Sequence, residues 1–118
     1  MAALSDNDAK KELRAQYRER EIVGCVYTVR NTRNNRLLLE SAADVSSTRN
    51  RFEFSQTTGS CVSMKLQKDW AEHGSGAFAF EVLEELKKGE AQTDAQFKAD
   101  LELLREMWRE KMPDEDYY

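Results

Sequence analysis

The 118-residue sequence predicts a small α+β domain, a three-stranded, mostly antiparallel sheet flanked by helices, on three observations. Two runs rich in β-branched and apolar residues enclose an asparagine-rich turn. A third run alternates aromatic and smaller residues, and a long segment near the end repeats its apolar residues at helical spacing.

Asp6 and Asp8 precede a stretch over residues 9–20 in which Leu13 and Tyr17 are four apart, which predicts an extra amphipathic helix in an N-terminal extension over residues 1–21. Gly24-Cys25-Val26-Tyr27-Thr28-Val29-Arg30 then reads as a strand, and Arg36-Leu37-Leu38-Leu39-Glu40 as its partner. Asn31-Thr32-Arg33-Asn34-Asn35 between them supplies residues that tolerate left-handed backbone, so a hairpin follows.

Asp44 is placed to cap a helix leading through Val45 and Phe52. Val62, Leu66 and Trp70 recur every four residues and predict a second helix. His73 and Gly74 end it, a cation suiting the helix dipole and a glycine the left-handed cap; His73 is accordingly read as a helix-end residue and not a general base.

Phe78, Phe80 and Val82 alternate as the third strand, closed by Glu84-Glu85, and a polar connection spans Lys87 to Asp94. From about Asp94 to Met112, Phe97, Leu101, Leu104 and Trp108 share one helix face, with Leu103 and Met107 to its side. Pro113 stops this helix, and Asp114-Glu115-Asp116-Tyr117-Tyr118 is expected to be a frayed acidic tail. The domain proper is thus expected over residues 22–112 and the tail over 113–118.

This length supports one domain with a modest core. There is no long apolar segment, and the opening residues lack a basic region followed by an apolar one, so neither membrane spanning nor secretion is expected. Cys25 and Cys61 are too few for a zinc cluster, and reduced thiols in the cytoplasm are the expectation. Cys61 is expected as a partly buried small hydrophobe.

Charge is unevenly spread: residues 20–80 carry a net +2 and residues 81–118 a net −6. A strongly basic face is the usual mark of nucleic-acid binding, and here the candidates are limited to Arg30, Arg33, Arg36, Arg49 and Arg51. They predict weak, salt-sensitive binding. The acidic last third favours a protein partner or self-association through the side of the last helix.

The hairpin, together with Asn31-Thr32, Asn34-Asn35, Ser41-Ala42, Lys65-Leu66-Gln67, His73-Gly74, Leu83-Glu84-Glu85 and Trp108, resembles the GIY-YIG endonuclease superfamily over about residues 24–112. The likeness is to the branch that includes small phage intron homing endonucleases and short stand-alone bacterial proteins. It implies a GIY-YIG nuclease-like fold and, for an intact member, divalent-metal-dependent hydrolysis of DNA phosphodiesters.

The resemblance also implies that the chemical groups have been replaced. The first motif falls on Cys25-Val26-Tyr27, which keeps the tyrosine and moves the glycine to Gly24. The second falls on Leu38-Leu39-Glu40, where no tyrosine remains. The catalytic arginine's place is taken by Thr48 and the metal-binding glutamate's by Arg105, leaving Tyr27 as the retained family residue. Magnesium requires oxygen ligands, and a guanidinium repels it. Removing a transition-state charge stabiliser typically costs about 100- to 1000-fold in rate. The expected function is therefore a catalytically impaired or inactive domain that binds nucleic acid or protein.

Two alternatives remain open at this point. Arg51, three residues after Thr48, or Arg49 beside it, would replace the arginine, and Glu40 with Glu102 would hold magnesium or manganese, giving an endonuclease with a rearranged site. Otherwise Glu102 pairs with Arg105 on the helix surface, as their spacing allows. The second alternative is a protein-interaction scaffold with no nucleic-acid role.

Overall fold

The computed structural model describes residues 22–61 and 63–118, and the helix expected over residues 9–20 lies outside them. The elements run β1 (Val23–Asn31), β2 (Leu37–Ala42), α1 (Val45–Thr58), α2 (Gln67–His73), a 3-10 turn (Ser75–Ala77), β3 (Phe78–Lys87) and α3 (Asp94–Lys111). The sheet has the order β2-β1-β3 with both pairings antiparallel. The α+β class expected from the sequence is the one observed.

β1 is central because its residues are apolar or small on both faces. Cys25, Val26 and Val29 are buried, as is Thr28. Strand alternation sends Val29 to the side of α1 and α2, where it joins Leu38, Phe52, Leu66, Trp70, Ala77 and Phe78 in one cluster. Aromatic rings organise that side: Trp70 stacks on Phe78 at 4.8 Å between centroids, and Phe52 on Phe80 at 5.4 Å.

The opposite face of β1 receives α3 through buried Phe97 and Leu101. Gly24 makes this approach possible, since a Cβ there would lie 2.9 Å from both Phe97 Cζ and Leu101 Cδ1 and 2.8 Å from the Ala42 carbonyl oxygen. α3 is started by a reciprocal cap in which the Gln96 N–H donates to Thr93 Oγ1 and the Thr93 N–H donates to Gln96 Oε1.

The hairpin turn forms as its asparagines require. The Asn35 N–H donates to the Asn31 carbonyl at 2.7 Å, Asn35 takes a left-handed φ of 64°, and the Asn31 and Asn34 side chains accept from the Arg33 and Arg36 N–H groups. Asp44 caps α1 by accepting from the Ser47 N–H.

Three expectations are corrected. α2 begins at Gln67 and not near Val62, because Ser63 diverts the chain into a turn: its carbonyl accepts from the Leu66 N–H and its hydroxyl from the Lys65 N–H. β3 continues past Glu84-Glu85 to Lys87, since β1 starts early enough for Val23 to face Lys87.

The acidic tail is docked and not frayed. The Leu37 N–H donates to the Asp116 carbonyl at 2.8 Å, and the Tyr118 N–H donates to the Leu37 carbonyl at 3.0 Å, a parallel bridge that covers part of the outer edge of β2. Unpaired strand edges invite such additions.

Candidate functional site

Tyr27 on β1 faces Glu40 on β2 directly across the ladder. A bulge lies beside this pair: Val26 faces Glu84 but Tyr27 faces Val82, leaving Leu83 as an extra residue in β3. Bulges re-aim side chains where they occur, and this one adjoins the retained tyrosine. The Tyr27 ring packs on Phe80 at 5.2 Å.

Burial pushes the Tyr27 hydroxyl up to about 12, the Glu40 carboxylate and Cys25 add to this, and only Arg51 opposes it. A tyrosine activates water as its phenolate. With the hydroxyl at about 12, roughly one molecule in 10⁵ carries the phenolate at pH 7. The environment therefore works against base catalysis by Tyr27.

Glu40 is held between two cations. Lys65 Nζ donates to Oε1 at 3.3 Å and Arg105 Nη1 to Oε2 at 3.4 Å. Arg105 leans on Glu106 with its second nitrogen, so its ion-pair partners are Glu40 and Glu106 and not Glu102. Both carboxylate oxygens already accept from positive groups, an exposed Lys65 and a half-buried Arg105, and these repel a divalent cation.

Glu102 is exposed on α3 and does not line the cavity beside Glu40. Among the described residues, the three ligand-type side chains that do converge, within 4.8 Å, are Asp69, Glu72 and His73 on α2. Asp69 is already committed there, its Oδ2 accepting from Tyr118, Asn34 and Asn31.

Leu38 is buried in the α1/α2 cluster, where the motif tyrosine would have been. Thr48 donates its hydroxyl to the Asp44 carbonyl at 2.7 Å, and it carries no positive charge for a phosphate. Arg51 is exposed on α1, close enough to Tyr27 to lower its hydroxyl's value. Arg49, also exposed, lines an open groove of about 260 Å³ between α1 and β3 with Phe52, Gln56 and Phe80. Cys61 is partly buried against the core, and its thiol donates to the Ser63 carbonyl.

Of the five candidate binding arginines, Arg33, Arg49 and Arg51 are exposed, while Arg30 and Arg36 are engaged by residues 115–118. Arg30 makes a two-pronged pair with Glu115, 3.1 Å on each prong. That bond holds the Glu115 carboxyl below its ordinary value. Arg36 lies 3.8 Å from Asp116, donates to the Tyr117 carbonyl at 3.4 Å and covers the Tyr118 ring at 4.4 Å.

These contacts bring Arg109, Tyr117 and Tyr118, which the sequence did not mark as site residues, beside Glu40. A cavity of about 100 Å³ beside Glu40 is lined by Lys65, Arg105, Arg109, Tyr117 and Tyr118. Arg109 stacks over the Tyr117 ring at 4.8 Å. The four-residue spacing of Arg105 and Arg109 was a legible sign of a shared face. No local signal could have placed Tyr118 against Asp69 and Asn31.

Sheet order, helix placement and the hairpin give the chain the fold of a nuclease catalytic domain. Two solved structures carry this likeness. A glutamate-to-alanine variant of the catalytic domain of intron endonuclease I-TevI matches with a TM-score of 0.54 and 24% identity, covering 76% of this chain and 84% of that one. A second structure, of the catalytic domain of homing endonuclease I-TevI, matches with a TM-score of 0.51 and 22% identity over 80% of this chain and 96% of that one. At such identities the likeness establishes the fold. No family model and no curated protein sequence matches the chain. Among the described residues, no helix is long and apolar enough to cross a membrane.

Proposed function

We propose that the chain is a nucleic-acid-binding module on a GIY-YIG fold whose metal-dependent cleavage is lost or severely impaired, working in the cytoplasm. The observation that carries this reading is the Arg105–Glu40 pair at 3.4 Å. It sets a fixed guanidinium where the resemblance assigns the metal-binding glutamate, on a carboxylate that faces the one retained tyrosine.

Nucleic acid is the favoured ligand because the two similar structures are described as endonuclease domains. Support also comes from Arg33 on the hairpin and Arg49 and Arg51 on α1, which are all exposed. A formal net charge of −4 limits the affinity to a weak, salt-dependent interaction. The test is a titration of labelled single-stranded and branched DNA across salt, with Arg49→Ala/Arg51→Ala in parallel. Binding that weakens with salt and with the double substitution supports the reading, and no binding at low salt contradicts it.

One observation favours a protein partner as the second reading. Leu103 and Met107, one turn apart on α3, are 64% and 46% exposed. Recovery of a protein complex that Leu103→Glu abolishes, together with no nucleic-acid binding, would select that reading. The rearranged endonuclease is disfavoured by the pairing of Glu40 with Lys65 and Arg105.

A further inference from the structure

We propose that residues 113–118 are an internal competitor of the nucleic-acid backbone, seated on the hairpin arginines and displaced when phosphates bind. The inference rests on the nucleic-acid reading above and concerns how that surface is regulated.

The first support is the form of the contacts. Arginine recognises a phosphate through two parallel N–H···O bonds, and Arg30 is engaged in that manner by Glu115, 3.1 Å on each prong. Arg36 is partly engaged as well: Asp116 and the Tyr117 carbonyl meet its edge and the Tyr118 ring one face. A strand of nucleic acid offers the same two things, anionic oxygens and stacking rings.

The second support is that the seat is specific. Two backbone hydrogen bonds to Leu37 fix the segment in register along β2. The Tyr118 hydroxyl donates to Asp69 at 2.7 Å and accepts from the buried Asn31 at 3.0 Å, while the Tyr117 hydroxyl donates to the Met112 carbonyl at 2.7 Å. Backbone, charge and hydroxyl contacts thus agree on one placement.

The third support is what the segment covers. Tyr117 and Tyr118 wall the cavity into which Lys65, Arg105 and Arg109 project. Displacing the segment would uncover Arg30 and Arg36 on the hairpin and open the cavity in which Arg109 lies beside the Glu40-paired Lys65 and Arg105. Its hold is suited to displacement, because ion pairs near the surface bind weakly and are screened by salt, and only two ladder bonds anchor the backbone.

The test uses the full chain and its Glu115→Gln/Asp116→Asn variant, titrated with a labelled single-stranded oligonucleotide across salt. Glu90→Gln/Glu110→Gln makes the same change of net charge at exposed positions outside residues 113–118 and serves as control. Freeing two arginines should steepen the slope of log affinity against log salt by about 1.4, so that raising salt from about 50 to about 200 mM costs the variant roughly sevenfold more affinity than the wild type. The control should keep the wild-type slope. Hydrogen exchange on the wild type should show the Leu37 and Tyr118 amides losing protection when the oligonucleotide binds.

Equal slopes for wild type and variant, or an equal gain in the control, overturn the proposal, as do protected Leu37 and Tyr118 amides in the bound state. Tyr118→Phe, which removes only the hydroxyl contacts, should tighten binding in the same direction and guards against a misfolded double variant. If none of these chains binds the oligonucleotide at low salt, it is the nucleic-acid reading that fails, and the competitor role fails with it.

Discussion

Arg105 of α3 reaches around the edge of the sheet to Glu40 of β2, 3.4 Å away, and Lys65 reaches the same carboxylate from the loop before α2 at 3.3 Å. The arrangement is internally neutralised: the charge that a divalent cation would bring is supplied by side chains. A guanidinium cannot lower the pKa of a coordinated water, which is the physical ground for the proposed loss of hydrolysis.

Arg105→Glu should reverse this local electrostatics. Two carboxylates would then face one another, and without metal the variant should be less stable by roughly 1 kcal/mol. Added manganese should recover stability in the variant and leave the wild type unchanged, a comparison read directly by thermal denaturation with and without the ion.

Gly24→Ala should be disproportionately harmful for a single methyl group. The new Cβ would lie under 3 Å from a backbone carbonyl and two core side chains of α3. Forcing such an atom into a packed core typically costs about 1–3 kcal/mol, measurable by denaturant titration.

Leu101→Ala should cost about 2–5 kcal/mol, because the side chain is buried between α3 and the sheet and the site has limited room to collapse. Leu103→Ala, two positions on and exposed, should change stability by less than about 0.5 kcal/mol. Denaturation midpoints of the two variants would check whether α3 presents the face described.

Acid should release residues 113–118. The Arg30 bond holds the Glu115 carboxyl below its ordinary value of 4.5, so the stability it lends is fully present above that value and is lost as pH falls through the lower value in the folded chain. Asp69, held low chiefly by the Tyr118 hydroxyl, loses its part of the seat in the same direction. Amide exchange at Leu37 and Tyr118 should therefore quicken below about pH 4.5, relative to core amides of β1, once intrinsic exchange rates are allowed for.

Tyr27 makes the opposite prediction at high pH. Its hydroxyl is raised from 10.0 to about 12, so the fold favours the neutral form, and the resulting stability is present below pH 10 and lost as pH rises through 12. Burial raises Tyr117 and Tyr118 as well, so spectrophotometric titration should be compared between wild type and Tyr27→Phe, which should lose one tyrosine's amplitude at the alkaline end.

Much of the fold was legible because local signals agreed. The asparagines of the hairpin, the Asp44 cap, the alternation of Phe78, Phe80 and Val82, and the spacing of Phe97 and Leu101 each name an element and its buried side. Ser63 shortened α2 through side-chain bonding that periodicity does not register. At the site, Tyr27 facing Glu40 follows from hairpin register, but the contacts from Arg105 and Lys65 to Glu40 join residues 65 and 25 positions apart. The docking of residues 115–118 was hidden for the same reason. A proline followed by acidic residues suggests fraying when read locally, and only the folded hairpin supplies the arginines and the strand edge that hold it.

The most direct measurement is cleavage of supercoiled, single-stranded and branched DNA, and of RNA, with magnesium or manganese, using wild type and Tyr27→Phe purified side by side. Intact substrates in every lane with the wild type are the expected result, with Tyr27→Phe indistinguishable from it. Metal-dependent cleavage by the wild type that disappears in Tyr27→Phe would contradict the loss of the reaction and would mean that a carboxylate other than Glu40 in its present pairing holds the ion.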